Sequence, residues 1–286
     1  MTYHIQTLKT GLTALGLKPL ALRLYFRYLD LVSRMKPRFR LVVHGAEVVF
    51  VTEETRSRWF FHHRYRSGQW HEPAVTEQLA ALVRDARSFA DVGAHLGYYG
   101  CVAGALNRQI RLYLFEMNRE LVGIIERNLK ANRLGHHELV NAPVADRRKP
   151  VAYPGGTTKP GLSIRPATED QQDDRMVVAE AVALDEFFAT RGDLPDVIKI
   201  DVQGAELDVL RGAAGILERH HPALLLEVHP SLIGNFGGTV TELYELLVRH
   251  GYQLRRFTDH RGERAGLIDV RKPRDLPEHT HMLLCV

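Results

Sequence analysis

Short apolar runs alternate with longer amphipathic stretches along most of the chain. The runs predict buried strands, and apolar positions recurring every three or four residues predict helices. Strands are predicted at 88–93, 110–116, 137–141, 177–183, 196–201, 223–229, 252–257 and 281–286, and helices at 73–86, 97–107, 118–133, 185–190, 204–219 and 239–250. Such alternation is typical of an α/β fold, in which a mostly parallel sheet carries helices on both faces.

Three segments depart from this alternation. Residues 19–35 predict a basic amphipathic helix, which can lie on an anionic membrane surface or pack on the core or on a second subunit. Residues 39–52 predict a hairpin that turns near His44-Gly45-Ala46. Residues 146–176 are polar and rich in turn residues. An insertion of this length is either functional, as hairpins or a lid near the ligand, or a mobile loop without a role.

A glycine-rich turn follows the first predicted core strand. Gly93, Gly97 and Gly100 lie between that strand and a helix, and Glu116 ends the next strand 23 residues after Gly93. A nucleotide-binding βαβ unit has a glycine turn at this place and an acidic residue about 20 residues later that binds the ribose hydroxyls. The pattern therefore predicts a cofactor that contains a nucleoside.

Position 95 distinguishes between two classes of cofactor. Dinucleotide sites have a second glycine there, so that the backbone can approach the pyrophosphate, but this chain has His95. A side chain at that position argues against NAD and favours a cofactor without phosphates, S-adenosylmethionine (SAM). Asp91, at the end of the strand, suits the cationic amino-acid tail of SAM. An NAD(P)-linked oxidoreductase remains the alternative from another enzyme class.

Polar residues also end two further strands of the predicted sheet. Asp201 follows one buried strand, and Glu227 and His229 end the next. Ligands of open α/β sheets bind at the carboxyl ends of the strands, so we expect these residues to share a crevice with Asp91 and Glu116.

Two of these segments resemble the FkbM family of SAM-dependent methyltransferases. The first is Asp91-Val-Gly-Ala-His-Leu-Gly-Tyr-Tyr-Gly, and the second is Ile198-Lys-Ile-Asp-Val-Gln-Gly-Ala-Glu with its continuation Leu-Arg-Gly-Ala. The stretches Leu226-Glu-Val-His-Pro and Gly68-Gln-Trp-His-Glu-Pro are similar to that family as well. The resemblance covers roughly residues 66–257.

The resemblance implies a class I methyltransferase sheet, Rossmann-like and closed by an antiparallel C-terminal hairpin. It also implies O-methylation, often of sugars or secondary metabolites. The chain departs from the family at His95, where asparagine is more frequent, and at Gln203, where glutamate is more frequent. The second departure weakens any catalytic role for position 203.

The candidate site residues fall into two groups. For methyl transfer to a hydroxyl, His229 is the best candidate base because its ordinary pKa lies near working pH, and Asp201 and Glu206 are the other catalytic candidates. The cofactor candidates are Asp91, Gly93, His95, Gly97, Tyr98, Glu116, Met117 and Asp201. No metal site is expected, although Asp201, Glu227 and His229 offer the alternative of a metal-dependent O-methyltransferase.

Charge and composition narrow the remaining possibilities. The formal net charge is +4, but residues 1–40 carry eight Lys/Arg and one acidic residue, so the basic character belongs to that segment. We expect a SAM-dependent methyltransferase domain at residues 66–286, preceded by an N-terminal extension at residues 1–65 that contains the basic helix and the hairpin. We expect no nucleic-acid partner, since no base-reading module accompanies the basic segment. A homodimer and peripheral contact with the inner membrane surface stay open, as does a non-catalytic scaffold.

Two isolated cysteines and the absence of a signal peptide or a long apolar run predict a cytoplasmic protein.

Overall fold

A computed structural model describes residues 27–28, 30–65, 68–154, 165–166, 176–262 and 265–286 of the 286-residue chain. The chain divides into two compact units. The smaller contains the chain up to Leu41 together with Val49–Gln69, and the larger contains Val42–Val48 and Trp70–Val286.

The N-terminal region has the predicted hairpin and helical segments. Strands β1 (Arg38–Val43) and β2 (Ala46–Val51) form a two-stranded sheet joined by a turn at residues 44–45, which confirms the hairpin. Helix α1 (Thr55–Arg58) leads directly into a π-helical turn, Trp59–His63. Of the predicted helix at 19–35, residues 27–28 and 30–34 are helical, and the remainder lies outside the described residues.

The larger unit contains the elements that the alternating pattern predicts, with small shifts at their ends. Its strands are β3 (Ser88–Val92), β4 (Arg111–Phe115), β5 (His137–Val140), β6 (Lys149–Pro154), β7 (Arg165–Pro166), β8 (Met176–Ala181), β9 (Val197–Ile200), β10 (Ala223–Val228), β11 (Leu254–Phe257), β12 (Leu267–Val270) and β13 (His281–Cys285). Its α-helices are α2 (Pro73–Val83), α3 (Tyr98–Leu106), α4 (Arg119–Ala131), α5 (Leu184–Phe188), α6 (Glu206–Arg211), α7 (Ala214–Arg219), α8 (Pro230–Ile233) and α9 (Val240–Arg249).

Eight strands form the central sheet in the order β12-β11-β13-β10-β9-β3-β4-β5. The five strands from β10 to β5 are parallel, whereas β13 runs antiparallel to β10 and to β11. This arrangement is the class I methyltransferase sheet that the resemblance implies, with the antiparallel closure at its C-terminal end. The inner parallel strands β3, β9 and β10 are buried at nearly every position, as strands covered on both faces are, whereas the edge strand β5 is only part-buried.

The structure corrects two element predictions. The predicted helix at 204–219 is two helices, α6 and α7, separated at Gly212. A Cβ at Gly212 would lie 2.1 Å from the carbonyl oxygen of Ala145, so this glycine permits a contact with a distant segment that the helical pattern does not reveal. Strand β12, which the sequence analysis did not predict, adds an antiparallel edge next to β11.

The predicted strand at 177–183 belongs to a different sheet. It was expected to return the chain to the core, but β8 instead pairs with β6 in a separate three-stranded sheet, which also contains β7. A single bridge between Val144 and Val182 leads back toward the rest of the domain. This small sheet occupies the described part of the 146–176 insertion, whereas 155–164 and 167–175 lie outside the described residues.

Two further features bear on the earlier expectations. Both cysteines, Cys101 and Cys285, are buried and free. Among the residues that the structure describes, no helix is long and apolar enough to cross a membrane.

Candidate functional site

The candidate site lies where the order of the parallel strands reverses. Strands β3, β4 and β5 follow one another toward one edge, while β9 and β10 follow one another toward the other, so β3 and β9 are neighbours at the reversal. Connections from these two strands leave in opposite directions and open a crevice at the carboxyl ends. Asp91 and Asp201 lie at those ends.

The glycine turn after β3 is fixed by contacts with two neighbouring strands. The amides of Gly93 and Ala94 both donate to the carbonyl oxygen of Phe115, at 3.0 Å. Gly93 has a φ of +85°, and a Cβ there would lie 2.0 Å from the carbonyl oxygen of Asp201. Glycine is therefore needed at position 93 by the adjoining strand β9, whether or not a ligand is bound.

The same turn orients the carboxylate of Glu116. His95, whose φ is +53°, donates its amide to Oε2 of Glu116 at 2.8 Å, and the amide of Asn118 donates to Oε1 at 2.8 Å. These two bonds orient the carboxylate of Glu116. The orientation suits recognition of two adjacent hydroxyls.

Asp91 is fully buried, and neither of its carboxylate oxygens has a hydrogen-bond partner in the described part of the chain. Burial is the main cause that raises the pKa of Asp91 to about 6, against the opposing effect of the nearby Lys199 cation. A buried carboxyl group without partners is costly unless a ligand compensates it. Asp91 thus marks a place for a cationic or hydrogen-bonding ligand.

Lys199 is the buried cation of the site. Lys199 is paired with Asp91 in the register of strands β9 and β3. Its Nζ lies 3.4 Å from Oδ2 of Asp201 and 4.9 Å from the ring centre of Tyr99. Burial opposes protonation of Lys199, but Asp201, Asp91 and other carboxylates outweigh it and raise its pKa. Burial likewise disfavours ionised Asp201, yet Lys199 holds the pKa of Asp201 below its ordinary value. Lys199 therefore favours the ionised form of Asp201.

His229 and Glu206 form a buried pair. Nδ1 of His229 lies 2.8 Å from Oε1 of Glu206, which also accepts the amide of Gly204 at 2.7 Å. Glu206 is the first residue of α6 and fully buried. Burial lowers the pKa of His229, but the hydrogen bond and charge of Glu206 outweigh it, so the pKa is raised.

Gln203 connects this pair to Asp201. Its Nε2 donates to Oδ1 of Asp201 at 3.0 Å and lies 3.0 Å from Nε2 of His229. An amide donor at that ring nitrogen requires the nitrogen to accept, which places the imidazole proton on Nδ1, toward Glu206. In this tautomer the single lone pair of Nε2 accepts from Gln203, so a substrate hydroxyl would have to replace that amide before Nε2 could act as a general base.

Glu227 brings a second histidine to the site. It is buried, with its Oε2 3.9 Å from Nε2 of His229 and its Oε1 3.6 Å from Nε2 of His260. Burial, together with the charges of Asp201 and Glu72, raises the pKa of Glu227. His260 and Glu72 were not among the predicted site residues. Glu72 belongs to the stretch Gly68–Pro73 that resembles the family, whereas nothing in the sequence marks His260.

The other cofactor candidates lie in or beside the glycine turn. Gly97 precedes α3, and a Cβ there would lie 3.1 Å from the side chain of Ile125. The hydroxyl of Tyr98 accepts the amide of His71 at 3.1 Å, so this side chain faces His71. The carbonyl of Met117 accepts from Asn141 at 2.9 Å and from Tyr153 at 2.8 Å, which orders the chain after Glu116.

Two sets of side chains have the spacing of metal ligands. Ligand atoms of Asp201, Glu227 and His229 lie within 4.8 Å of one another, as do those of Glu72, Glu227 and His260. The structure therefore brings together the three residues that the sequence analysis named as the metal-dependent alternative, and it adds a second set that shares Glu227.

Comparison with known sequences identifies one family. The model of the methyltransferase FkbM domain matches residues 91–254, more than half of the chain. A search of curated proteins gave no match.

Several solved structures have a similar fold. A methyltransferase FkbM from Methylobacillus flagellatus KT is 16% identical, with a TM-score of 0.44 over 71% of this chain and 44% of that one. This chain thus spans less than half the length of that protein. A SAM-dependent methyltransferase from Agrobacterium tumefaciens is 14% identical, with a TM-score of 0.45 over 87% and 69%. An O-methyltransferase family protein from Burkholderia thailandensis is 13% identical, with a TM-score of 0.40 over 74% and 54%.

Proposed function

The chain belongs to the FkbM methyltransferase family, and on that premise we propose that it transfers a methyl group from SAM to a hydroxyl of a small-molecule acceptor. The observation that carries the oxygen specificity is the buried pair of His229 and Glu206 at the carboxyl ends of the sheet. A hydroxyl must lose its proton as it is methylated, and this pair is built to accept one.

The residues around the glycine turn fit SAM. Asp91 is a buried carboxylate without a hydrogen-bond partner among the described residues, and the ammonium of the SAM amino-acid tail would compensate it. Glu116, held by two backbone amides, would accept hydrogen bonds from the ribose hydroxyls. His95, Gly97, Tyr98 and Met117 complete the proposed cofactor-binding segment. When bound, SAM supplies an electrophilic methyl group on a sulfonium.

We assign the general base to His229. Glu206 accepts a hydrogen bond from Nδ1. Nε2 lies 4.0 Å from Asp201 and 3.9 Å from Glu227, and its lone pair becomes available when the acceptor hydroxyl displaces the amide of Gln203. As the acceptor proton arrives at Nε2, the developing imidazolium is stabilised by Glu206, which is fully buried. Such a base contributes about 10²–10⁴ to the rate, and alignment of the acceptor supplies the larger share.

Asp201 and Glu206 have positioning roles in this proposal. Asp201 stays ionised beside Lys199 and accepts the amide of Gln203, which in turn orients the ring of His229. The neutral amide of Gln203 can donate to both Asp201 and His229. A carboxylate at this position would have no proton to donate to either neighbour. The acceptor class that the family resemblance favours is a sugar, a glycolipid or another hydroxylated metabolite.

The remaining sequence-based expectations stay proposals. We propose that residues 66–286 form the methyltransferase domain and that 1–65 form an extension, whose basic segment either packs on the core or a second subunit or contacts an anionic membrane surface. Sedimentation of the full chain with anionic liposomes, compared with that of a chain that starts near residue 38, tests the membrane contact. Equal sedimentation of the two chains would exclude it. A dimer is tested by sedimentation velocity of the full chain.

Calorimetric titration with S-adenosylhomocysteine, with NAD as the control, tests the cofactor. Micromolar binding of S-adenosylhomocysteine alone supports the proposal, whereas binding of NAD alone would replace it with the oxidoreductase alternative. Transfer of labelled methyl from SAM to a panel of sugars and glycolipids then tests the acceptor class. His229→Gln should abolish most of this transfer at unchanged cofactor affinity, while His136→Gln, at an exposed position away from the site, should leave it intact.

A further inference from the structure

Glu72, Glu227 and His260 converge from three separate parts of the chain. Glu72 directly precedes α2, Glu227 is in β10, and His260 follows β11. Nε2 of His260 lies 3.6 Å from Oε1 of Glu227 and 3.8 Å from Oε1 of Glu72. These separations are too long for hydrogen bonds and are typical of ligands that share one ion.

The facing groups are buried and lack hydrogen bonds to one another. The side chain of Glu227 is 5% exposed, and the basic side-chain nitrogens paired with it among the described residues lie 3.6–3.9 Å away, on His260, Arg261 and His229. Nε2 of His260 is buried and likewise has no hydrogen-bond partner in the described ranges. A buried carboxylate facing a buried imidazole nitrogen without a hydrogen bond between them indicates that another species completes the cluster.

The charge balance around the cluster favours a cation. Five buried or part-buried carboxylates surround it, those of Glu72, Asp91, Asp201, Glu206 and Glu227. The lysine and arginine side chains that approach these carboxylates are the buried Lys199 and the 57%-exposed Arg261, which lies 3.8 Å from Glu72 and 3.7 Å from Glu227. The imidazoles of His71, His229 and His260 also lie within 4.0 Å of these carboxyl groups. Two fixed positive charges and three histidines thus face five carboxyl groups, an acid-rich arrangement that favours a cation.

We propose that Glu72, Glu227 and His260 form a binding site for one divalent cation. The three ligand atoms lie within 4.8 Å of one another, so one ion can contact all three at metal–oxygen and metal–nitrogen bond lengths of about 2.0–2.4 Å. Two carboxylates and one imidazole suit Mn²⁺ or Zn²⁺ better than Mg²⁺, and three protein ligands leave positions open for water or substrate. The hydroxyl of Tyr99 donates to Oε2 of Glu72 at 2.6 Å and orients that carboxylate, as outer-shell groups of metal sites do.

The overlapping set of Asp201, Glu227 and His229 is less suited to the cation. Asp201 already has Lys199 and Gln203 as partners, and both ring nitrogens of His229 have close partners in Glu206 and Gln203. The cation therefore belongs on the Oε1 side of Glu227, with His229 on its Oε2 side. A role for this cation in positioning the acceptor hydroxyl beside His229 rests on the proposed function, whereas the binding site itself does not.

The test uses the full-length, chelator-treated protein. Binding of Mn²⁺ is measured by electron paramagnetic resonance, which detects the free ion, and binding of Zn²⁺ is measured by calorimetry. We expect one equivalent to bind with micromolar affinity, and His260→Gln to weaken it about tenfold or more. Glu72→Gln should also weaken cation binding, although its amide oxygen can still accept the hydrogen bond from Tyr99. Arg261→Gln should tighten binding, because it removes a competing positive charge. His136→Gln is the matched control and should bind as the wild type does.

Three results would overturn the site. Equal binding by wild type and His260→Gln would remove it, and a loss confined to Asp201→Asn would move the ion to the other set. No binding by the wild type would show that His260 and Arg261 form only an ion-pair cluster with the two glutamates. Titration with S-adenosylhomocysteine separates this inference from the proposed function, since cofactor binding without cation binding would leave the methyltransferase proposal standing.

Discussion

Replacing Gly93 with alanine tests the close approach of strands β3 and β9 at the site. The new Cβ would lie 2.0 Å from the carbonyl oxygen of Asp201, and Cβ atoms essentially never approach other heavy atoms within 3.0 Å. The two segments must therefore separate by about 1 Å or more. The obstacle is backbone, so no side-chain rotation relieves it.

The expected loss of stability has two parts. Alanine at a φ of +85° costs about 1–2 kcal/mol, and forcing packed segments apart costs about 1–3 kcal/mol more. Gly251→Ala isolates the first part, because Gly251 has a φ of +84° but its nearest added contact is an ordinary 3.7 Å, to His221. We therefore expect Gly93→Ala to destabilise by about 2–5 kcal/mol and Gly251→Ala by about 1–2 kcal/mol.

Urea unfolding followed by circular dichroism measures both free energies. In folded Gly93→Ala, the displaced end of β9 carries Asp201, so methyl transfer should fall about 10²-fold, as for a misplacement of about 1 Å. Gly251→Ala should transfer at the wild-type rate. If the two variants lost equal stability, β3 and β9 would not approach as closely as the structure has them, and the structural reason for glycine at 93 would be refuted.

Three further predictions concern the charges of the site. Glu116→Gln should weaken S-adenosylhomocysteine binding by about 1.5–3 kcal/mol in calorimetry, because the ribose hydroxyls lose a charged acceptor, and unchanged affinity would mean that the ribose lies elsewhere. In the folded protein the pKa of Asp91 is raised to about 6. The native state therefore binds more protons than the unfolded chain between about pH 4 and 6. The stabilising contribution of the protonated carboxyl group is lost as the pH rises through this window. The stability of the wild type relative to Asp91→Asn should fall by about 3 kcal/mol from pH 4 to pH 7, and a flat difference would contradict the burial argument. Gln203→Glu adds a carboxylate beside His229, so the pH at which methyl transfer rises should move upward, and a downward shift or none would show that His229 is not the base.

Regular periodicity was enough to predict an α/β fold with a mostly parallel sheet, and the family resemblance supplied its antiparallel closure. The parallel strands are continuous apolar runs because both faces of the sheet are covered, and that pattern is local in the sequence. The prediction failed where a distant contact decides the geometry. Gly212 separates α6 from α7 because the carbonyl of Ala145 lies against it, and β8 pairs with β6 although its sequence looks like another core strand.

The candidate site divides in the same way. Asp91, Glu116, Asp201 and His229 follow predicted strands, so the rule that ligands bind at the carboxyl ends of a parallel sheet was sufficient to name them. Their placement beside one another follows from the strand order. The roles of these residues remain proposals, which the experiments above test.

Local periodicity and short motifs were sufficient to predict the family, most of the strands and helices, and the residues at the strand ends. Three relations follow only from the packing of the chain: β9 requires glycine at position 93, Gln203 orients His229, and Glu72 and His260 lie beside Glu227. Those relations depend on distances between segments that are 33 to 188 residues apart in the chain or, for Gln203, on a left-handed turn that no periodicity reveals. The sequence gives the chemistry of each side chain, whereas the packing of the strands determines which side chains are in contact.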